Sequence, residues 1–116
     1  MVSKHYEIKY AIEVSDKIDQ IYAYTLNLSR SKETAQKTVG QLILAIDRLN
    51  VFPEAGLDID QKIGVQLRPP YKTYGLIAGK YIVIYEILES SVVLISQLLA
   101  ANSDWIELLT KSQNRF

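Results

Sequence analysis

Four cations and four tyrosines fall between Lys62 and Tyr85, with no acid among them. Lys62, Arg68, Lys72 and Lys80 are interleaved with Tyr71, Tyr74, Tyr81 and Tyr85. Such a set could bind single-stranded nucleic acid, with the cations on phosphates and the rings stacked on bases. It could also cleave RNA without a metal. Arg and Lys would stabilise the charge that builds on a pentacoordinate phosphate, and a Tyr or Lys would move protons. Tyr and Lys titrate near pH ~10 when unperturbed, so this chemistry needs several cations packed together. Arg68, Lys72 and Lys80, with Tyr81 beside them, are a thin set for that. The plainer alternative is a sheet whose solvent face is basic, and the residues alone leave both open.

Other chemistries lack their residues. The single histidine, His5, stands beside the first strand-like run and reads as a surface residue rather than a catalyst. No Ser-His-Asp set can be built convincingly around it. Cysteine is absent, which removes disulfides, thiolate nucleophiles and Cys-based metal sites, and fits a reducing compartment. Transition-metal ligands are lacking, and neither a P-loop nor a G-x-G-x-x-G fingerprint occurs. Asp58 and Asp60 could be paired carboxylates but stand in a glycine-bearing stretch, where solvated turn residues are the expectation. No cofactor and no metal are expected.

A length of 116 residues fits one domain over the whole chain, 1–116. At 48% apolar and 22% charged residues, the chain can bury a core. The 13 basic residues balance 13 acidic ones, which argues against a surface given over to nucleic acid. Lys4, Glu7 and Lys9 interrupt the N-terminal segment, so it is no signal-peptide core, and no apolar run approaches a membrane span. A cytoplasmic protein with no membrane contact is expected.

The elements that would position these residues can be read from periodicity. Tyr6 to Val14 alternates apolar and polar and predicts a half-buried strand. Ser15-Asp16 would cap a helix carrying Ile18, Ile21, Tyr22 and Thr25 on one face to about Leu28. After a turn, Ser29 or Ser31 would cap a second helix, with Ala35, Val39, Leu42, Ile46 and Leu49 as its stripe. Gly40 weakens that helix by roughly 1 kcal/mol relative to Ala and would let it pack closely on the first. Asn50 and Pro53 stop it.

Glu54 to Gly64 reads as an irregular loop. Three strand-like runs follow: Gln66 to Ile77, interrupted by Pro69-Pro70; Lys80 to Leu88, apolar on both faces apart from Glu86 and hence central; and Val92 to Leu99. Ala78-Gly79 and Glu89-Ser90-Ser91 are the predicted turns. Ser103 or Asp104 would cap a short helix over Asp104 to Leu109, with Lys111 to Phe116 fraying. The expected class is α+β: strand, helix, helix, then a three-strand meander. The sheet would be mostly antiparallel, with an αα-hairpin on one face and a short C-terminal helix.

This order, with several local strings, resembles the RelE/ParE toxin superfamily, the small toxins of bacterial type II toxin–antitoxin modules. The strings are Tyr6-Glu7-Ile8, the helix with Ile18, Ile21 and Tyr22, and the helix exit Leu49 to Gly56 with Pro53 and Gly56. Leu67-Arg68, Tyr74, the strand Gly79 to Ile87 and the run Val92 to Trp105 complete them. The resemblance covers nearly the whole chain and rests on order and spacing rather than on one motif. It implies the fold above, a cognate antitoxin as partner, and contact with DNA only through that antitoxin. Members similar to RelE cut messenger RNA at the ribosome; members similar to ParE, including those called plasmid-stabilisation proteins, inhibit DNA gyrase.

Position by position, the resemblance separates these targets. Lys72 matches a basic position of the RelE-like enzymes, but Tyr74 occupies the next one. Ile82 stands where those enzymes place an arginine after the strand-opening tyrosine, here Tyr81. Ala101-Asn102-Ser103 stands where they place a basic residue at the exit of the last strand. Losing one charge that stabilises a phosphoryl transition state costs orders of magnitude in rate. Whether the chain is an enzyme at all is therefore open, and the ParE-like, gyrase-directed branch is favoured. A ribosome-dependent mRNA interferase and a detoxified member that still binds antitoxin are the alternatives. ParE-like members also carry an Arg-Arg-Asp before the last helix, of which only Asp104 remains. The resemblance places target binding on this exit, Asn102, Ser103, Asp104 and Trp105, and antitoxin in an apolar groove between the helical hairpin and the sheet edge.

Overall fold

The computed structural model describes residues 5–89 and 91–113. A strand, β1 (Glu7–Tyr10), is followed by the helices α1 (Ile12–Ser29) and α2 (Lys32–Asp47) and a 3-10 turn at Arg48–Asn50. Then come β2 (Leu57–Asp58), the one-turn helix α3 (Ile59–Ile63), β3 (Thr73–Ala78), β4 (Tyr81–Leu88), β5 (Val92–Ala100) and α4 (Trp105–Gln113). The sheet order is β1-β5-β4-β3-β2, parallel at β1–β5 and antiparallel elsewhere. The α+β class, the strand–helix–helix–meander order and the central place of β4 agree with the sequence.

The first strand is shorter than its alternation suggested. Ala11 donates its N–H to the Ile95 carbonyl (2.9 Å) as the last ladder bond, and its own carbonyl accepts from Val14 N–H (3.0 Å). One residue thus closes the strand and opens the helix, and Glu13 lies favourably in the first turn. Val14 is buried in either geometry, but Ile12, 72% exposed, shows that the two-residue period ends at Tyr10. Ser15 and Asp16 lie inside α1 and do not cap it. The helix ends on Arg30 in the left-handed region (φ 54°), whose N–H returns to the Leu26 carbonyl.

Ser31 caps α2 by accepting from Thr34 N–H (3.1 Å), whereas the Ser29 hydroxyl donates back to the Thr25 carbonyl. Ala35, Leu42 and Ile46 of α2 and Leu49 beyond it are buried, as the stripe predicts. Gly40 does not serve close packing: a Cβ there would meet open space.

β4 is apolar on both faces because both are covered. Val83 and Tyr85, with Val93 and Ile95 of β5, pack under Val14, Ile21, Leu42 and Ile46 of the helical hairpin. On the opposite face Ile82 and Ile84 pack against Ile59 of α3 and Leu109 of α4, with Leu99 and Trp105 alongside. The sheet is therefore the middle of three layers.

Two short elements escape the sequence reading of Glu54 to Gly64 as a loop. β2 extends the sheet by two residues and leads into α3. Neither is held by periodicity; side-chain capture of backbone groups fixes them. Asp58 accepts from Gln61 N–H (3.0 Å) and caps α3. Asp60 accepts from Leu67 N–H (3.1 Å) and Thr73 N–H (3.2 Å) and ties down the segment that follows. These are not solvated turn carboxylates, as the sequence suggested. The predicted strand from Gln66 accordingly starts only at Thr73, after a cis Pro69-Pro70 bond.

The β3–β4 turn is Gly79-Lys80, one residue later than expected, because Ala78 still pairs with Tyr81. Gly79 takes φ 60° at the first turn position, which a glycine tolerates without a Cβ penalty. Of the second predicted turn, Ser90 lies outside the described residues, and Ser91 has φ 60°. At the other end of β5, Ser103 returns both its N–H and its hydroxyl to the Ala100 carbonyl and so does not cap α4. The Asp104 carbonyl accepts from Leu108 N–H and opens the helix. That helix runs past the predicted fraying point to Gln113, with Lys111 paired to Glu107 (3.1 Å); 114–116 lie outside the described residues.

Candidate functional site

The structure separates the cations that lie close in sequence. Lys72 and Lys80 flank β3 at opposite ends, and at about 3.4 Å per residue its six residues hold them roughly 20 Å apart. Lys72 pairs with Asp58 (3.8 Å) on the surface. Arg68 lies before β3 on the segment held by Asp60. Lys80 sits in the exposed β3–β4 turn, and Tyr81 is half-buried against the core under the helical hairpin. No cluster of Arg68, Lys72 and Lys80 forms around Tyr81.

What does come together is the tip of the β3–β4 hairpin and the exit of β5. Ala101 N–H donates to the Lys80 carbonyl (2.8 Å), and Tyr81 lies opposite Ala100. Asn102 and Asp104 are exposed there, and Ser103 is half-buried. Trp105, at the start of α4, is half-buried against the core between the sheet and that helix. Ile82 points into the same core and is 1% exposed. A charge at that position would have to be buried, so the residue is committed to packing.

Beside this end lies a groove of about 760 Å³ between the helical hairpin and the sheet. Tyr24 and Leu28 of α1, Leu42 of α2, and Ile77, Lys80 and Tyr81 of the β-hairpin line it. Tyr24, Leu28 and Ile77 are each more than 60% exposed. Large apolar side chains this open converge on one groove and form an exposed apolar patch. The family resemblance implied such a groove between the hairpin and the sheet edge but named none of its residues. The available signal was Tyr24 and Leu28 at i and i+4, off the core stripe of α1.

The polar exception of the central strand has an environment that the sequence did not indicate. Glu86, on the central strand, is 2% exposed. Its carboxylate accepts from the Ser96 hydroxyl (2.8 Å), which also lies 3.2 Å from the Ile84 carbonyl. Ser96 is the extra residue of a β-bulge: Ile84 pairs with Gln97 and Tyr85 with Ile95. Burial pushes the Glu86 carboxyl above the usual carboxylate range, against the opposing pulls of Ser96 and of Arg68. One serine proton cannot serve two acceptors. A protonated Glu86 donating to Ser96 would leave the serine free to donate to Ile84.

Glu86 favours the fold below the unfolded-state value near pH ~4.3, and that contribution is lost as pH rises through the shifted value. Glu86→Gln removes the ionisation. The melting temperature of the variant minus that of the native chain should therefore become more positive from pH 4 to pH 8 in paired thermal scans. A flat difference would show that Glu86 ionises without cost.

Among the described residues, no group of three His, Cys, Asp or Glu side chains could hold a metal, and no helix is long and apolar enough to cross a membrane.

Comparison with known proteins adds a family to this geometry. A family model described as the ParE toxin of the type II toxin–antitoxin system parDE matches residues 8–105. A solved structure titled "Chromosomal ParDE TA system from P. aeruginosa" superposes with a TM-score of 0.62 at 16% identity, covering 84% of this chain and 98% of that one. At that identity the likeness is one of fold. No curated protein matches the chain.

Proposed function

This chain belongs to the ParE toxin family of type II toxin–antitoxin systems, and we propose that it is the toxin of such a pair, held inactive by a cognate antitoxin and acting on a protein target of the DNA gyrase kind. The whole chain works as one toxin domain. The observation that carries the choice of target is the dispersal of the cations. Metal-free RNA cleavage needs positive charge converging on one phosphate. Here Lys72 and Lys80 stand at opposite ends of β3, and Ile82 is buried in a core. A toxin that works by binding needs no such convergence.

The apolar groove supports the antitoxin half of the proposal. Its exposed Tyr24, Leu28 and Ile77 suit an amphipathic or extended antitoxin segment, and Lys80 at its mouth suits an acidic one. The end formed by the hairpin tip, Asn102, Ser103, Asp104 and Trp105 stays available for the target.

Induction in a bacterial host tests the toxin role. Growth should arrest and should recover when the antitoxin from the same operon is co-expressed. Harmless induction together with tight antitoxin binding would replace the proposal with a detoxified member. Growth arrest with ribosome-dependent mRNA cleavage would replace it with an interferase.

A further inference from the structure

β1 covers only half of β5. Its last partner is Ile95, opposite Tyr10, and Ala11 N–H closes the ladder on the Ile95 carbonyl before the chain turns into α1. Beyond the bulge at Ser96, the side of β5 facing away from β4 has, among the described residues, no strand beside it. The bond from Ala101 N–H to the Lys80 carbonyl sets the phase of the β4–β5 ladder. In the register Tyr81–Ala100, Ile82–Leu99, Val83–Leu98 and Ile84–Gln97, Gln97 and Leu99 bond towards β4. Leu98 and Ala100 therefore direct their main-chain groups outward.

The Ala100 carbonyl is taken by Ser103. Among the described residues, no hydrogen bond reaches the outward N–H and C=O of Leu98 or the N–H of Ala100. Leu98 is only 5% exposed, so its own outward groups are poorly served by bulk water, while Ala100 is half-buried. Buried main-chain groups are nearly always paired, and an open strand edge is a template for another strand.

This edge opens into a cleft of about 520 Å³. Its walls come from the start of α1 (Glu13, Lys17), from β5 (Ser96 to Leu99) and from Arg68 across the sheet. Arg68 and Lys17 are exposed, and neither is in any of the ion pairs formed among the described residues. Glu13 is the acid that lines the cleft with these two cations, and Arg68 also acts on the buried Glu86 behind β5.

We propose that the uncovered edge of β5 beyond Ile95 is a docking site for an extended, acidic polypeptide segment, which adds as a strand to Leu98 and Ala100 and sets carboxylates against Arg68 and Lys17. Main-chain pairing supplies the affinity and the two cations supply the selectivity, as in strand addition generally. The site lies at the first turn of α1, whereas the apolar groove lies along its last turns. It holds whatever the toxin's target proves to be.

Amide hydrogen exchange of the full chain, read residue by residue, tests the site. The probes are two capped synthetic peptides that differ only in charge, one alternating Glu and Val and the other Lys and Val. The Glu-Val peptide at saturation should slow exchange at Leu98 and Ala100 by about tenfold or more, as burial in a new ladder does. The Lys-Val peptide should leave both unchanged. Arg68→Ala with Lys17→Ala, both surface changes, should weaken the Glu-Val effect about tenfold, with the same exchange in the free chain. Equal protection by both peptides, or by neither, would overturn the proposal. So would protection by a single-stranded oligouridylate in place of the acidic peptide, which would make the cleft a nucleic-acid site.

Discussion

A chain carrying Leu28→Asp and Ile77→Asp should bind its antitoxin about 100-fold more weakly or worse, and should arrest growth even when antitoxin is present. Both side chains are largely exposed in the free protein, at 69% and 61%, so the changes spare the core. In a filled groove each would be buried, and full burial of a Leu or Ile contributes about 1.5–3 kcal/mol. Two such losses, with two carboxylates driven into an apolar contact, exceed the ~2.8 kcal/mol that corresponds to 100-fold. Titration calorimetry against the purified antitoxin reads the affinity, and circular dichroism of the free variant checks the fold. Unchanged affinity with an intact fold would remove the groove from the antitoxin interface.

Tyr85→Phe should lower the unfolding free energy by about 2–4 kcal/mol, far beyond the value of a hydroxyl on the surface. The Tyr85 hydroxyl donates to the Pro53 carbonyl (2.7 Å) and accepts from Gly56 N–H (3.0 Å). Its ring is stacked on Tyr74, with centroids 5.5 Å apart. Phenylalanine keeps the ring and leaves two backbone groups unpaired in the interior, each costing about 1–3 kcal/mol. Against a typical total of 5–15 kcal/mol that is a large share. Burial, with the opposing bond from Gly56, places the Tyr85 phenol at about 12, so the bond persists across the working pH range. Denaturant unfolding of Tyr85→Phe beside Tyr74→Phe isolates the term. Tyr74 makes no such pair of bonds among the described residues, so the two variants should differ by most of the effect. Equal losses would mean that ring packing, not the hydroxyl, holds this loop.

The same contact explains a string that was legible in the sequence without a reason. Pro53 and Gly56, the marks of the helix exit, are the two residues whose backbone Tyr85 clamps from the central strand. Gly56 must lack a Cβ, which would fall 2.7 Å from the Tyr85 hydroxyl and 2.8 Å from the Gly75 carbonyl. The long elements were equally legible, because α2 carries a helical apolar stripe and β4 and β5 are apolar-rich runs of eight and nine residues. The switch at Ala11 was not. A two-residue period through Tyr10 and a helical stripe beginning at Val14 share the same apolar positions, and only the bond from Ala11 to Ile95 decides between them. β2 and α3 were illegible for a different reason: Asp58 and Asp60 hold them through backbone N–H groups, some of them distant in sequence.

The candidate site was legible only in part. Counting charges between Lys62 and Tyr85 suggested a basic face. Strand geometry then distributed those charges to opposite ends of β3, while Arg68 went to the cleft by the β5 edge. The buried Glu86 was visible as the one polar residue of an apolar run. Its environment was not, because Ser96 becomes its partner only through the bulge.

The proposal that this toxin works by binding a protein, not by cutting RNA, is tested most directly by a supercoiling assay with purified DNA gyrase and antitoxin-free toxin. Inhibition should saturate with toxin and be reversed by stoichiometric antitoxin. Full supercoiling at saturating toxin, with ribosome-dependent cleavage of mRNA in the parallel reaction, would contradict it.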